Sequence, residues 1–338
     1  MIKAELLAAT RPYKGSKQGL ITFQVECPIY VWTELLTHRR FARNASSARA
    51  MGTERYTAMG YHTPPIFYKQ GKGMQSSNDP IEKQWLAELI WNTSTKLSMF
   101  AAKLLERLGV AKEQRNRLVP PNKIIRGIVT GTEDSWRAFL ELRNHHTADK
   151  AMQTLARDIA YQIQQLEYTK TTVLLSSGQA WLVDGKQVQL YASGMMYATK
   201  PTTQIVDNWK YASLHNPLPH CTDIYAVIAQ IARVSYNRDK GKDDQALFTQ
   251  LVESCHYSPL EHVAYWTFNP WKSCYTSKHE DMAQTHELEY NGWQSFRSEI
   301  EHTQDKDEVI AEYNALLTTG KSYGTIPVSI EVDSNKGL

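Results

Sequence analysis

The feature that most constrains this chain is a change of period at Pro28. Before it, LITFQVECP alternates, with Ile21, Phe23 and Val25 on one side, the pattern of a strand that buries one face. After it, Val31, Trp32, Leu35 and Leu36 recur at helical spacing, so a helix follows the strand directly. Pro28 itself ends the strand, because it has no N–H for a ladder. An apolar run over 2–9, closed by PYKGSKQG, reads as an earlier strand. Continued by three or four residues, the helical stripe reaches Arg39, Arg40 and Arg43. A buried stripe that turns cationic predicts a helix leaving the core to present charge to a cavity.

Residues 63–79 read as a loop. Asp79-Pro80-Ile81-Glu82 then predicts a helix start, with Asp79 as cap, Pro80 in the first turn and Glu82 in a capping box. That helix is expected to reach Leu108 and stop at Gly109. A second start lies at Thr132, followed by Trp136, Phe139, Leu140 and Arg143 on one face. A third helix, from about Thr147, carries Met152, Leu155, Ile159 and Ile163. Residues 172–196 look extended, with Asp184-Gly185 as a hairpin turn. Residues 199–222 read as a connection, 223–234 and 243–255 as helices, and the polar end of the chain as partly disordered. The expected organisation is an N-terminal part over 1–200 and a C-terminal part over 201–320, within one compact domain, with 321–338 as a flexible tail.

The balance of 38 basic and 35 acidic residues leaves +3. That is too mild to announce a nucleic-acid binder, although local basic clusters can hold phosphate. Cys27, Cys221, Cys255 and Cys274 form no C-x-x-C pair and no apolar leader precedes them. They are expected as reduced thiols in a cytoplasmic protein. No stretch approaches the roughly 18 apolar residues of a membrane span.

Three constellations carry candidate chemistry. Residues 37–49, THRRFARNASSAR, concentrate arginines, a histidine, an asparagine and serines. Guanidinium forks and hydroxyls suit a phosphate; the same composition also suits a nucleic-acid surface or a solvated face. Residues 256–262, HYSPLEH, hold two histidines and a glutamate. Their spacing is not H-E-x-x-H and no third ligand partner is evident, so no metal site is expected. Arg143 ends an apolar helical stripe, where burial requires either an anionic ligand or an internal carboxylate.

Together these segments resemble the flavin-dependent thymidylate synthases. The resemblance rests on His38-Arg39, Asn44 and Ser47-x-Arg49, on 109–120 and 135–143, and on two late pieces, Ala232-Arg233-Val234-Ser235-Tyr236 and 256–262. In the family the last two come first, so the motif order here looks circularly permuted. Tyr290-Asn291-Gly292-Trp293 is similar to phage-type members. Thr37, Ala42 and Ala45 depart from the family's arginine, serine and acidic residue.

The resemblance implies an α+β fold: a mixed or antiparallel sheet flanked by helices. It implies FAD, bound by His38, Arg39, Asn44, Ser235, His256, Ser258 and Glu261, with NADPH and methylenetetrahydrofolate as co-substrates. The nucleotide, dUMP, would meet Ser47, Ala48, Arg49, Arg117 and Arg143, with Arg143 and Ser47 nearest the chemistry and dTMP as product. No neighbouring base marks Ser47 as a covalent nucleophile. A homotetramer is implied, because the family's site forms where subunits meet, and a phage origin would place it in the host cytoplasm. Two other readings stand beside this one: a flavin- and folate-dependent hydroxymethylase of dUMP or dCMP, suited to Thr37 and Ala45, and a nucleic-acid-binding protein using residues 39–55.

Overall fold

The computed structural model describes residues 2–12, 19–71, 76–166, 214–218, 220–221, 223–236, 243–266, 293–303 and 305–319, with short strands at 171–172, 181–183, 186–188, 195–197 and 331–332. Its centre is an antiparallel five-stranded sheet. The strands are β1 (Lys3–Pro12), β2 (Leu20–Pro28), β3 (Ala42–Ala45), β6 (Ile124–Thr132) and β10 (Met195–Tyr197), in the order β10-β1-β2-β6-β3. β4 (Tyr68–Gln70) and β5 (Ser76–Pro80) form a separate hairpin. β7 (Thr171–Thr172) pairs with β14 (Glu331–Val332), and β8 (Trp181–Val183) with β9 (Lys186–Val188). That last pair flanks 184–185, where the hairpin turn is expected; the turn itself lies outside the described residues. A small sheet joins β11 (Leu214–His215), β12 (Ala264–Trp266) and β13 (Trp293–Ser295). The fold is therefore α+β with antiparallel pairing throughout the described strands.

The alternation in β2 sorts two layers. Ile21, Phe23 and Val25 enter one core with α1 (Ile29–Leu35), α5 (Glu133–Arg143) and α6 (Lys150–Gln164), through Val31, Trp136, Phe139, Met152 and Leu155. Leu20, with Ala42 and Ile128, faces a second core. That core is built by α7 (Ile224–Ala232), α8 (Asp244–Glu253), α9 (Phe296–His302) and α10 (Lys306–Thr319). The sheet is thus covered on one face by early helices and on the other by late ones. The β1 edge is also closed: Asp158 and Gln162 of α6 accept hydrogen bonds from the N–H groups of Ala4 and Leu6, which leaves that stretch no open ladder.

Helix boundaries follow local hydrogen bonding. Thr132 caps α5, its side chain accepting from the N–H of Ser135, and Asp149 caps α6. α2 (Thr53–Thr57), α3 (Gln84–Arg107) and α4 (Lys112–Arg115) complete the early layer. Gly109, at φ 76°, closes α3 as expected: its N–H reaches the carbonyl of Glu106 and the N–H of Val110 that of Leu105, a Schellman ending.

Three expectations need correction. α3 begins at Gln84, not at Pro80, because Asp79 and Pro80 belong to β5. The Gln84 amide bonds both backbone groups of Phe67 and the carbonyl of Ile81, holding the hairpin ahead of the helix. The loop expected over 63–79 therefore contains two strands. The cationic stripe does not extend α1, which ends at Leu35. Arg43 sits on β3 and donates to the carbonyls of Leu36 and His38, satisfying groups at the end of α1. The last described helix ends at Thr319, and the expected tail over 321–338 lies outside the described residues apart from β14.

Candidate functional site

β3 carries Asn44 into the face covered by the late layer, where it is buried. Its amide donates to the carbonyl of Ile231 at 2.8 Å, and its Oδ1 accepts from the Ser235 hydroxyl at 3.0 Å. Three residues on, the N–H of Ser47 reaches the Ser235 carbonyl at 3.1 Å. The end of α7 and the 3-10 turn Arg233–Tyr236 are thereby fastened to the strand that precedes the serine-arginine loop.

The 256–262 segment arrives by a different device. α8 ends with Cys255 in the left-handed region, φ 55°, which L side chains adopt at a cost. The N–H groups of Cys255 and His256 close on the carbonyls of Val252 and Leu251, a Schellman ending with cysteine where glycine is usual. The turn redirects His256, whose Nδ1 lies 2.8 Å from Ser254 Oγ, and the following 3-10 turn Ser258–His262.

Between the two assemblies lies a cavity of about 690 Å³, within the usual range for a small-molecule site. Asn44, Ser47 and Arg49 line it from the early segment, and Ser235, His256 and Ser258 from the late one. Six of the expected site residues thus meet in one place. Lys112 and Glu113 of α4, Gln250 of α8 and Ser254 also line it. None of these is singled out by the sequence reading. Lys112 follows the Gly109 stop closely, which is the only local signal of its role, and Gln250 carries none.

The remaining expected residues go elsewhere. Arg143, at the end of α5, donates from Nε to His38 Nε2 at 3.0 Å, to Glu34 at 2.8 Å and to Thr37 Oγ1 at 3.3 Å. Because Arg143 Nε–H is only a donor, His38 Nε2 must accept, so the ring is neutral. Burial, then the charges of Arg143 and Arg43, push the imidazole down to about 4. Thr37 accepts a hydrogen bond from Arg143 at a point where a second guanidinium would be repelled. The structure therefore gives Arg143 an internal carboxylate partner, and it does not line the cavity. Arg39 and Arg117 are exposed. Ala48 sits in the loop with its carbonyl held by Asn116.

Glu261 pairs with Arg297 of α9 rather than entering the cavity. Arg297 also holds Glu301, and the two carboxylates raise the guanidinium above its ordinary range. His262 turns the other way, with Nδ1 2.7 Å from Thr130 Oγ1. Side chains adjacent in HYSPLEH thus serve three different environments, and they do not converge on a common point. Ala45 lines the cavity, so no carboxylate enters from that position.

Residues 16–166 match the model of the family described as thymidylate synthase complementing protein. The match covers the strand β2, the serine-arginine loop and Arg143, and it ends before the late segment that supplies the cavity's other wall. The chain is 27% identical over 152 residues to a probable flavin-dependent thymidylate synthase of Mycobacterium phage L5, covering 43% of this chain and 58% of that one. It is 31% identical over 141 residues to the flavin-dependent thymidylate synthase of Aquifex aeolicus, covering 41% and 43%. The chain thus spans about half the length of these curated relatives. A UMP/dUMP methylase, PolB from Streptomyces cacaoi bound with 5-Br UMP, aligns at TM-score 0.42 and 17% identity over 49% of this chain and 90% of that one.

Proposed function

We propose that this protein is a flavin-dependent methyltransferase that converts dUMP to dTMP, using FAD, methylenetetrahydrofolate and NADPH. The observation that carries the reading is a cavity lined by Asn44, Ser47 and Arg49 on one side and Ser235, His256 and Ser258 on the other. Its donor set fits the groups required. Arg49 and Lys112 supply cations, and the serines and Asn44 supply hydrogen bonds for phosphates and an isoalloxazine edge. The flavin would supply the redox chemistry of the reaction. Asn44, Ser235, His256 and Ser258 would orient it, while Ser47, the N–H of Ala48 and Arg49 would hold the nucleotide phosphate. Arg143 would stabilise negative charge on the uracil, with neutral His38 accepting its Nε–H and keeping the guanidinium aimed.

Arg143 does not line this cavity within one chain, so the reading requires a second copy to bring it there. α3 offers a face for such a copy. Trp85, Leu89, Leu97, Phe100 and Leu108 are exposed along it, Leu108 by 77%, over a helix of 24 residues, about 36 Å long. Light scattering should show a multimer that Leu97→Glu with Phe100→Glu dissociates; a monomeric wild type would contradict it. Among the described residues no helix is long and apolar enough to cross a membrane, and buried Cys27 and Cys221 are free thiols, which suits a cytoplasmic enzyme.

The test is a purified protein with a flavin spectrum whose reduced flavin is reoxidised when dUMP and methylenetetrahydrofolate are added. A colourless protein that takes up no FAD overturns the reading. Product mass decides the chemistry: a hydroxymethyl group in place of a methyl would make this a hydroxymethylase, the outcome that Ala45 at the cavity wall leaves open.

A further inference from the structure

The serine-arginine loop is held from outside the cavity. Asn116 is 3% exposed and lies in the 3-10 turn Asn116–Leu118 that follows α4. Its amide donates to the carbonyls of Ala48 and Met51, each at 2.9 Å, and its Oδ1 accepts from the Thr53 hydroxyl at 2.9 Å. Both amide hydrogens and the carbonyl oxygen are therefore used. Thr53 Oγ1 in turn accepts from Arg115 Nε at 2.8 Å, and Arg115 is anchored to Glu106 and to the carbonyl of Val110. Lys112 adds a fourth tie, donating to the carbonyl of Ala50 at 3.2 Å. Residues 48, 50, 51 and 53 are thus each bound to one segment, 112–116, while Ser47 N–H is fixed on the other side by Ser235.

The loop is fixed from both directions. Asn116 and Lys112 take the carbonyls of Ala48, Ala50 and Met51, while the N–H groups of the same turn close on Ser47: Arg49 N–H on its hydroxyl at 3.3 Å, and Ala50 and Met51 N–H on its carbonyl at 3.2 and 3.3 Å. With its backbone held in this way, the turn keeps Ser47 and Arg49 at the cavity wall. Arg117, a cation the sequence suggests for the nucleotide, is exposed instead; its buried neighbour touches the loop.

We propose that Asn116 is a positioning residue that presets the loop at 47–49 for the phosphate of the nucleotide, so that it governs recognition of the phosphorylated substrate without touching it. This rests on the reading of Ser47 and Arg49 as phosphate ligands. A preset loop holds phosphate equally in the ground and transition states, so its loss raises KM and leaves kcat at saturation unchanged.

The experiment compares wild type, Asn116→Asp and Thr53→Val. Asn116→Asp keeps the shape but faces two carbonyls with an acceptor; Thr53→Val leaves the amide in place and removes the hydroxyl that anchors it and accepts from Arg115. Binding of dUMP, of deoxyuridine and of FAD is measured by titration, with a melting curve for each protein. Weakening of dUMP binding by about tenfold or more in Asn116→Asp, a smaller loss in Thr53→Val, and unchanged deoxyuridine and FAD binding support the proposal. It is overturned if both variants bind dUMP like wild type, or if all three ligands weaken together, which marks a purely structural role. If Asn116→Asp does not fold, Thr53→Val alone decides: selective loss of dUMP affinity supports the proposal and wild-type affinity overturns it. Wild type that binds FAD but not dUMP sinks the phosphate reading, and this inference with it.

Discussion

The Ser235 hydroxyl donates to Asn44 Oδ1 across 3.0 Å of space and 191 positions of sequence. That bond, with the Asn44 amide on the Ile231 carbonyl, ties the family-matched segment to the late one. Asn44→Leu removes both bonds and leaves the buried Ile231 carbonyl without that donor, a loss of about 1–3 kcal/mol. Chemical denaturation should show this loss, and FAD affinity should fall with it. Ser235→Ala, which removes one partner only, should cost less on both measures.

A buried polar chain crosses the same boundary. His215 Nε2, Thr22 Oγ1, Thr130 Oγ1 and His262 Nδ1 follow one another at 2.7 Å each, and all four residues are fully buried. Burial pushes both imidazoles down to about 3. The unfolded chain binds these protons near the ordinary value of 6.5, so it gains them first as pH falls. Stability is therefore complete above pH 6.5 and declines between there and pH 3, by up to about 1.4 kcal/mol per pH unit for each histidine. Denaturation midpoints measured from pH 8 to 4 should fall below 6.5, and His262→Gln should flatten the slope. A flat profile in wild type would contradict neutral burial.

Gly127 sits in the central strand beneath Trp32. A Cβ there would lie 2.4 Å from Trp32 Cζ3, and the indole belongs to the packed face under α1. Gly127→Ala is expected to destabilise by about 1–3 kcal/mol through overpacking. Trp32→Leu in the same chain should recover part of that loss, giving a non-additive double-mutant cycle.

Arg143→Lys keeps the charge and loses the fork that spans His38, Glu34 and Thr37. Turnover of dUMP should drop by about a hundredfold, the scale of a lost transition-state donor, with FAD content unchanged. Equal turnover would remove Arg143 from the chemistry.

Much of this architecture is legible in the sequence where a local rule decides it. The alternation of Ile21, Phe23 and Val25, the Thr132 cap and the Gly109 stop are each short-range physics. The central strand β6 is not visible that way. IIRGIVTGT is buried on both faces and contains two glycines, so it shows neither alternation nor a clean strand composition. Its glycines answer to Trp32 and Phe41, which are distant in sequence. The site divides by the same principle. Asn44, Ser47, Arg49, Ser235, His256 and Ser258 come from compact motifs, and they line one cavity. Glu261 and Arg143 lie away from it in ion pairs with Arg297 and Glu34, partners that no local pattern announces.

The central claim is that one cavity, closed by early and late segments, holds flavin and methylates a uracil nucleotide. The most direct measurement is the product formed by the flavin-loaded protein from dUMP, methylenetetrahydrofolate and NADPH, read by mass spectrometry in wild type and Asn44→Leu. The account predicts dTMP from wild type and a large loss of both flavin and product from the variant. Wild type that binds FAD and returns dUMP unchanged, or a variant that makes dTMP as fast as wild type, would contradict it.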